Sequence, residues 1–453
     1  MTDYTAMADR LISQLQGNQS ALDENLAYYD AEYRVKAVGI SVPEEMRVLL
    51  AHNDWARVYL DGIDNRLDVE GFRMAGSAKA DSRLRDWWQA NDLDNEAPLG
   101  HLESMMHGRA FITIAAPDKT DPLMDPDSPL IRLESPKSLW VNEDPVTRRP
   151  YEGIRLYGTD EATLLLPNET VLIKRSSANG PWEPVSAPIK HNLGVLPVVP
   201  LYNRQKLSHR NGRSELTPGM RSSIDTASRL MMNLGATAEL MAVPQRLLFG
   251  IAADALAAGE GDSAATLEAY TARIMAFEDK DAHAFQWAAA ELRNFVDGVQ
   301  EVTRQMASFT GLPPDYFSIS KDNPASADAI RAAENRLVRL AERKARVFGS
   351  AWEQAMRIAM LVMDREIPKE AFRMEAIWRD PSTPTFAAKA DAVVKLAAAK
   401  TADGQPIISS ERARIDLGYG TEERDEIRKD LDSTPRSQLA GLYATPDAAG
   451  EAA

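Results

Sequence analysis

The six histidines, at positions 52, 101, 107, 191, 209 and 283, are the first place to look for metal or general-base chemistry. The closest pair, His101 and His107, sits six residues apart on a stretch that reads as helix. That spacing sets the two rings on opposite faces, so one metal ion held by both is not expected. The chain has no cysteine, which excludes disulfides and thiolate metal sites. It contains no G-x-x-x-x-G-K-[ST] loop for nucleotide phosphates, no H-E-x-x-H and no G-x-S-x-G. Ser318-Ile319-Ser320-Lys321 matches S-x-x-K, but the S-D-N and K-T-G companions of that enzyme class are missing. Of 67 acidic residues no pair is singled out by its spacing. The chain therefore does not read as an enzyme, and no catalytic residue, metal or cofactor is expected.

Binding chemistry is more visible. Trp87-Trp88 and Tyr28-Tyr29 have the ring faces that stack on bases. Neighbours on a helix point about 100° apart, however, and core or subunit contact is the preferred reading. A run of basic residues, Arg331, Arg336, Arg339, Arg343, Lys344 and Arg346, stands against Asp328, Glu334 and Glu342. It reads either as a wall for phosphates or an acidic neighbour, or as a solvated face with i,i+4 pairs such as Glu342 to Arg346. The second reading is the simpler. Formal net charge is -15, which serves solubility and also opposes wrapping of the outer surface by DNA.

These residues sit on a chain of 453, long enough for more than one packed unit. No run of about 18 apolar residues occurs, so no membrane span or membrane partner is expected. Met1 to Arg10 carries Asp3 and Asp9 and does not read as a secretory signal. Residues 1–107 have helical spacing: Leu11, Ile12 and Leu15 open it, and Ser20 with Asp23 is expected to cap a second helix with Leu22, Leu26, Tyr29 and Tyr33 on one face. Further helices are expected from about Asn53, over Arg83–Gln89 and over Leu99–Met106. The period then changes. Strands are expected at Arg109–Ala116, Leu130–Leu133, Leu139–Val141, Gly153–Tyr157, Thr163–Leu166, Thr170–Lys174 and Val198–Tyr202, with Pro and Gly clusters between them.

Beyond Asn203–Gly212 the chain is mostly helical. Two amphipathic helices, 217–242 and 289–310, bracket a mixed insertion with strands at Gln245–Gly250 and Arg273–Glu278. Gly311, Pro313 and Pro314 end the second helix. The longest helix runs from about Ala325 to Met363, roughly 55–60 Å if straight. Its apolar stripe includes Ile330, Leu337, Leu340, Phe348 and Trp352. Arg373–Trp378 reads as a strand, Thr385–Lys400, Glu411–Leu417 and Glu422–Leu431 as helices, and Ser433–Ala453 as a disordered tail. The fold class is α+β, predominantly helical. A rod so long needs cover along its apolar stripe, and side-by-side copies in a ring are the expected source of it.

Several stretches, in order along nearly the whole chain, resemble the portal proteins of tailed phages, particularly those of actinobacterial siphophages. They are Asn53-Asp54-Trp55 through Val69-Glu70-Gly71-Phe72, then Leu193-Gly194-Val195-Leu196-Pro197 on to Asn203, and Gly212-Arg213-Ser214-Glu215-Leu216. Gly311 to Met360 and Trp378-Arg379-Asp380-Pro381-Ser382-Thr383-Pro384-Thr385 complete the set.

The resemblance implies a portal-type fold: an α/β wing over 1–212, a stem helix at 213–243, a small α/β clip at 244–288, and a second stem helix at 289–312. It implies a tunnel loop at 313–325, a long helix and return to the wing at 326–384, and a helical crown at 385–432, leaving the tail 433–453. Ser318, Ser320, Lys321, Asp322 and Asn323 would face double-stranded DNA without reading its sequence. Gln245, Arg246, Arg273 and Glu278 would belong to the clip, which meets the large terminase subunit and then a head–tail adaptor. Ile330, Leu337, Leu340, Phe348 and Trp352 would pack subunits together. The implied assembly is a ring, typically a dodecamer, put together in the host cytoplasm beside capsid and scaffolding proteins. It ends at one capsid vertex of the virion, where it serves packaging and ejection of the genome. The competing readings are a scaffolding or adaptor protein without a channel, and a metal-dependent hydrolase or nuclease built from Asp and Glu.

Overall fold

The computed structural model describes residues 3–33, 52–77, 79–177, 180–242, 246–249, 274–277, 292–317, 327–382, 386–401, 404–417, 419 and 421–433. The chain divides into two compact units, Met1–Pro381 and Ser382–Ala453.

The first unit opens with one helix, α1 (Tyr4–Tyr29), started by Asp3, whose side chain accepts from Ala6 N at 3.0 Å. The break expected at Ser20 is absent. Asn18, which competes for backbone groups in a turn, instead donates from Nδ2 to Gln14 O at 2.7 Å. Packing at both ends keeps the helix whole: Ala8, Leu11 and Ile12 join one core and Tyr28 and Tyr29 another. Helices α2 (Trp55–Asp64), α3 (Ser82–Ala90) and α4 (Leu93–His107) follow, with strand β1 (Val69–Arg73) between the first two. Helix α4 begins six residues before the expected Leu99 and carries Pro98 inside it. Asp94 and Glu96 in its first turn suit the helix dipole, and Leu93 and Ala97 are buried.

Strands β2 (Arg109–Ala115), β3 (Leu130–Glu134), β4 (Leu139–Glu143), β5 (Pro150–Tyr157), β6 (Glu161–Leu165), β7 (Glu169–Lys174), β8 (Glu183–Pro184), β9 (Ile189–Lys190) and β10 (Val198–Tyr202) make two antiparallel sheets. The smaller has order β10-β2-β3; the larger runs β4-β5-β6-β7-β8, with β9 also on β7. Next come α5 (Pro218–Ala242), the parallel pair β11 (Arg246–Phe249) and β12 (Ile274–Phe277), and α6 (Arg293–Thr310), which packs on α5. The rod, α7 (Ala327–Asp364), has 38 residues and is about 57 Å long. β13 (Glu375–Trp378) then returns to pair antiparallel with β1.

The cover of the rod differs from expectation. Leu337, Phe348, Trp352, Ala355 and Ala359 are fully buried within the single chain. They pack against α4, β2, β10 and α2 of the same chain. Leu337, Phe348 and Trp352 are therefore core residues and not subunit-packing residues; Leu340 is half-buried at the cluster's edge. The side chain of Ile330 lies outside the described residues. Trp87 and Trp88 are both buried, at 2% exposure each, so neither is a base-stacking platform.

His101 joins α4 to the rod. Its ring stacks on Phe348 with centroids 5.0 Å apart, and Trp352 Nε1 donates to its Nε2 at 2.9 Å. Burial pushes its pKa down to about 3. A folded pKa below the unfolded 6.5 stabilises the native state above pH 6.5 and is lost as pH falls toward the folded value. Asp64, raised to about 8 by burial and by Asp61 and Asp68, acts with the opposite sign over part of that range. The difference between parent and His101→Gln isolates the histidine. Parent stability is expected to fall relative to the variant by about 1.4 kcal/mol per pH unit between 6.5 and 4. Urea titrations at each pH check this, and parallel curves would refute it.

The second unit holds α8 (Phe386–Ala398), α9 (Ser410–Leu417) and α10 (Thr421–Ser433). Glu411 collects Arg414, Arg424 and Arg428 at 3.2–3.4 Å. Val393 is its one buried apolar residue among those described, while Val394, Leu396, Ile407, Ile415 and Tyr419 are exposed.

Candidate functional site

Ser318, Ser320, Lys321, Asp322 and Asn323 lie outside the described residues, as do Gln245, Arg273 and Glu278, while Arg246 opens β11. What the structure describes is the chain on either side of residues 318–326. Helix α6 stops at Gly311, whose φ of 80° suits the residue that closes a helix. Leu312 is buried beside Gly62 of α2, where an added Cβ would come within 3.3 Å of it. A single 3-10 turn, Pro314–Tyr316, follows. Phe317 is buried, edge-on to Trp55 at 5.8 Å, and its carbonyl accepts from Trp55 Nε1 at 3.2 Å. On the far side, Tyr316 Oη donates to Glu334 of α7 at 2.8 Å, and Arg66 pairs with the same carboxylate at 3.1 Å. Residues 314–317 are thus anchored to α2 and tied to α7 through Glu334.

The middle of the rod is fixed to the rest of its own unit by buried charge. Lys344 Nζ contacts Glu215 and Asn203, and all three are at most 4% exposed. Asn203 Nδ2 donates to Glu215 at 2.9 Å, Gln205 Nε2 at 2.6 Å and Tyr59 Oη at 3.2 Å. Burial raises the Glu215 carboxyl, but the Lys344 ammonium and these donors outweigh it and hold the group below the usual carboxylate range. Burial lowers Lys344, with Glu215 offsetting only part of the effect. Two glycines make room. Gly108 and Gly212 both have positive φ, and a Cβ on Gly212 would fall 1.7 Å from the Gly108 carbonyl. That crossing carries the chain from β10 to Glu215 beneath the rod.

This centre was not anticipated. Lys344 was grouped with the exposed basic run, although its spacing of 337, 341, 344, 348 and 352 places it on the apolar stripe. The four arginines near it behave differently. Arg336, Arg339, Arg343 and Arg346 are exposed. Arg336 donates to Ser308 O at 3.0 Å, Arg343 to Gln205 O at 2.6 Å, and Arg346 Nε to Glu342 O at 3.3 Å. Among the described residues none of the four has a carboxylate partner, and the expected Glu342–Arg346 pair does not form. A cavity of about 1080 Å³ lies beside them, between α5, α6, α7 and the 204–219 segment. Among the described residues no group of three or more His, Cys, Asp or Glu is placed to hold a metal ion, and no helix is long and apolar enough to cross a membrane.

A family model for phage portal proteins of the SPP1 Gp6-like type matches residues 8–411. The portal proteins of Mycobacterium phage D29 and Mycobacterium phage L5 are each 47% identical to this chain. The matches cover 98% of it and 92% and 91% of theirs. A chain from the neck of a native GTA particle, computed with C12 symmetry, is similar over 87% of this chain and 99% of its own, at 11% identity and a TM-score of 0.42. With the family model matched over residues 8–411 and the two mycobacteriophage portal proteins matched over nearly the whole length, the chain belongs to the SPP1 Gp6-like family of phage portal proteins.

Proposed function

We propose that copies of this chain close into a ring of twelve at one vertex of a phage capsid and conduct double-stranded DNA during packaging and ejection. The match of residues 8–411 to the portal family carries this reading. In it, 1–212 is the wing, 213–243 and 289–312 the stem, 244–288 the clip, 313–325 the tunnel loop, 326–384 the long helix with its return to the wing, and 385–432 the crown. The clip takes the large terminase subunit first and a head–tail adaptor later. Hydrolysis of ATP belongs to that motor, since this chain has no phosphate-binding loop. The anchoring of Phe317 and Tyr316 supports the loop assignment: a segment fixed at both ends adjusts to passing DNA without moving the wing. One Lys321 per subunit gives a weak, sequence-independent touch on phosphates, which suits a conduit better than a tight grip.

Purified chain is expected to give rings with a central hole in negative stain and a single multi-subunit mass by light scattering. Solid particles would favour the scaffold or adaptor reading, and a persistent monomer at high concentration would refute the ring. Lys321→Glu is expected to leave rings intact and to lower the yield of packaged DNA in an infection complemented with the variant. Equal yield would remove that charge from the mechanism.

A further inference from the structure

We propose that the basic groove beside the rod is the socket for an acidic loop of the next copy of this chain, the β2–β3 loop of residues 116–129; this rests on the ring reading above. The groove is rimmed by Arg204, Arg336, Arg339 and Arg343, with half-exposed Phe309 and Leu340 offering apolar surface between the guanidinium groups. Arg204 lies over the Tyr202 ring at 4.5 Å, Arg336 and Arg343 donate to backbone carbonyls, and none of the three on the rod pairs with a carboxylate among the described residues. In a chain of net charge -15, three neighbouring arginines on one helix without a carboxylate form a surface prepared for an anion. The apolar share of the groove favours a protein segment over a phosphate backbone.

The occupant is written on the same chain. Between β2 and β3 stand Asp118, Asp121, Asp125 and Asp127 against one cation, Lys119. Among the described residues none of the four carboxylates forms an ion pair. At the centre Leu123 is 95% exposed, the most exposed of the large apolar residues described. An acidic loop around a bare leucine matches a basic groove with an apolar floor in both charge and hydrophobicity. The loop's base is held in shape: Trp87 Nε1 donates to Asp127 O at 2.9 Å and Asn91 Nδ2 to Pro129 O at 2.8 Å. A preordered loop loses less entropy on docking.

The two surfaces lie at opposite ends of strand β2. Strand β2 starts at Arg109, opposite Tyr202, where the chain passes to Arg204 and the groove. It ends at Ala115, where the acidic loop begins, six residues and about 20 Å further on. A socket at one end of a rigid sheet and a plug at the other make a head-to-tail contact, the kind that closes into a ring.

The test is a charge exchange in the full-length chain, read as the concentration at which rings form by light scattering. Arg339→Glu/Arg343→Glu and, separately, Asp121→Arg/Asp125→Arg are each expected to raise that concentration about tenfold or more, because like charges then face each other. All four substitutions in one chain are expected to restore assembly to within about threefold of the parent. The neutral variants Arg339→Gln/Arg343→Gln and Asp121→Asn/Asp125→Asn are expected to fall between, with unchanged melting temperatures and a weaker salt dependence of assembly. Single-surface variants that assemble like the parent would overturn the pairing while leaving the ring intact. So would an exchanged chain as defective as either half. Groove variants that assemble normally yet package less DNA would reassign the arginines to phosphate. A parent that forms no rings would sink the ring reading itself, and the pairing with it.

Discussion

Lys344→Ala is expected to lower the free energy of unfolding by about 3–5 kcal/mol, far more than any exposed arginine on the same helix. The reason is what it leaves behind. Glu215 would keep its place beneath the rod, at 4% exposure, with its cationic partner gone. Asn203, Gln205 and Tyr59 would still donate to it, but three neutral donors do not replace an ammonium. Removing the charge on both sides separates the pair's net value from the penalty of an orphaned carboxylate. Lys344→Met/Glu215→Gln keeps an acceptor for Asn203 and Tyr59 and fills most of the lysine's volume, and it is expected to recover more than half of the loss. Urea denaturation at pH 7 measures all three chains. A single variant within about 1 kcal/mol of the parent, or a double variant worse than the single, would show that the cluster is solvated in solution.

Much of the secondary structure was legible because local pattern decides it. Val198–Tyr202 falls within its expected bounds, and Pro218–Ala242 begins at the proline that follows Thr217. Strand β1 was not foreseen. Val69–Arg73 is five residues without clear alternation, and its pairing with Glu375–Trp378 spans some three hundred residues that no local window sees. Ser20 had the composition of a cap, yet tertiary packing of α1 at both ends outweighed it.

The site divides the same way. Periodicity established that one face of α7 is apolar, but it is silent on who covers that face. Attributing the cover to other subunits led to a sound functional reading through an unsound step, since Leu337, Phe348 and Trp352 are enclosed by their own chain. What remains for a neighbour is the opposite face, whose arginines have no carboxylate partner among the described residues. Lys344 is the instructive residue: its type placed it among the surface charges, whereas its phase on the helix placed it in the core. Phase was the better guide, because a buried position is fixed by geometry and a lysine can be accommodated there once a carboxylate is supplied.

Trp352→Ala is expected to cost a further large amount, about 3–5 kcal/mol, for a different reason. Its side chain is fully buried, edge-on to Trp88 at 4.8 Å and bonded to His101 Nε2 at 2.9 Å. Truncation leaves a cavity among residues anchored on α3, α4 and the rod, none of which can move in without disturbing another contact. It also leaves the His101 acceptor unpaired, so Trp352→Phe, which retains most of the volume, is still expected to be measurably destabilised. The protein concentration at which the loss is read then decides who covers the rod. If the same chain does, the deficit of Trp352→Ala appears in full in dilute, monomeric protein and does not change on dilution. If neighbouring copies covered this face, stability would depend on concentration and the deficit would vanish in the monomer. Thermal melts of parent and variant across a hundredfold dilution distinguish the two, and a concentration-dependent deficit would return the stripe to the subunit interface.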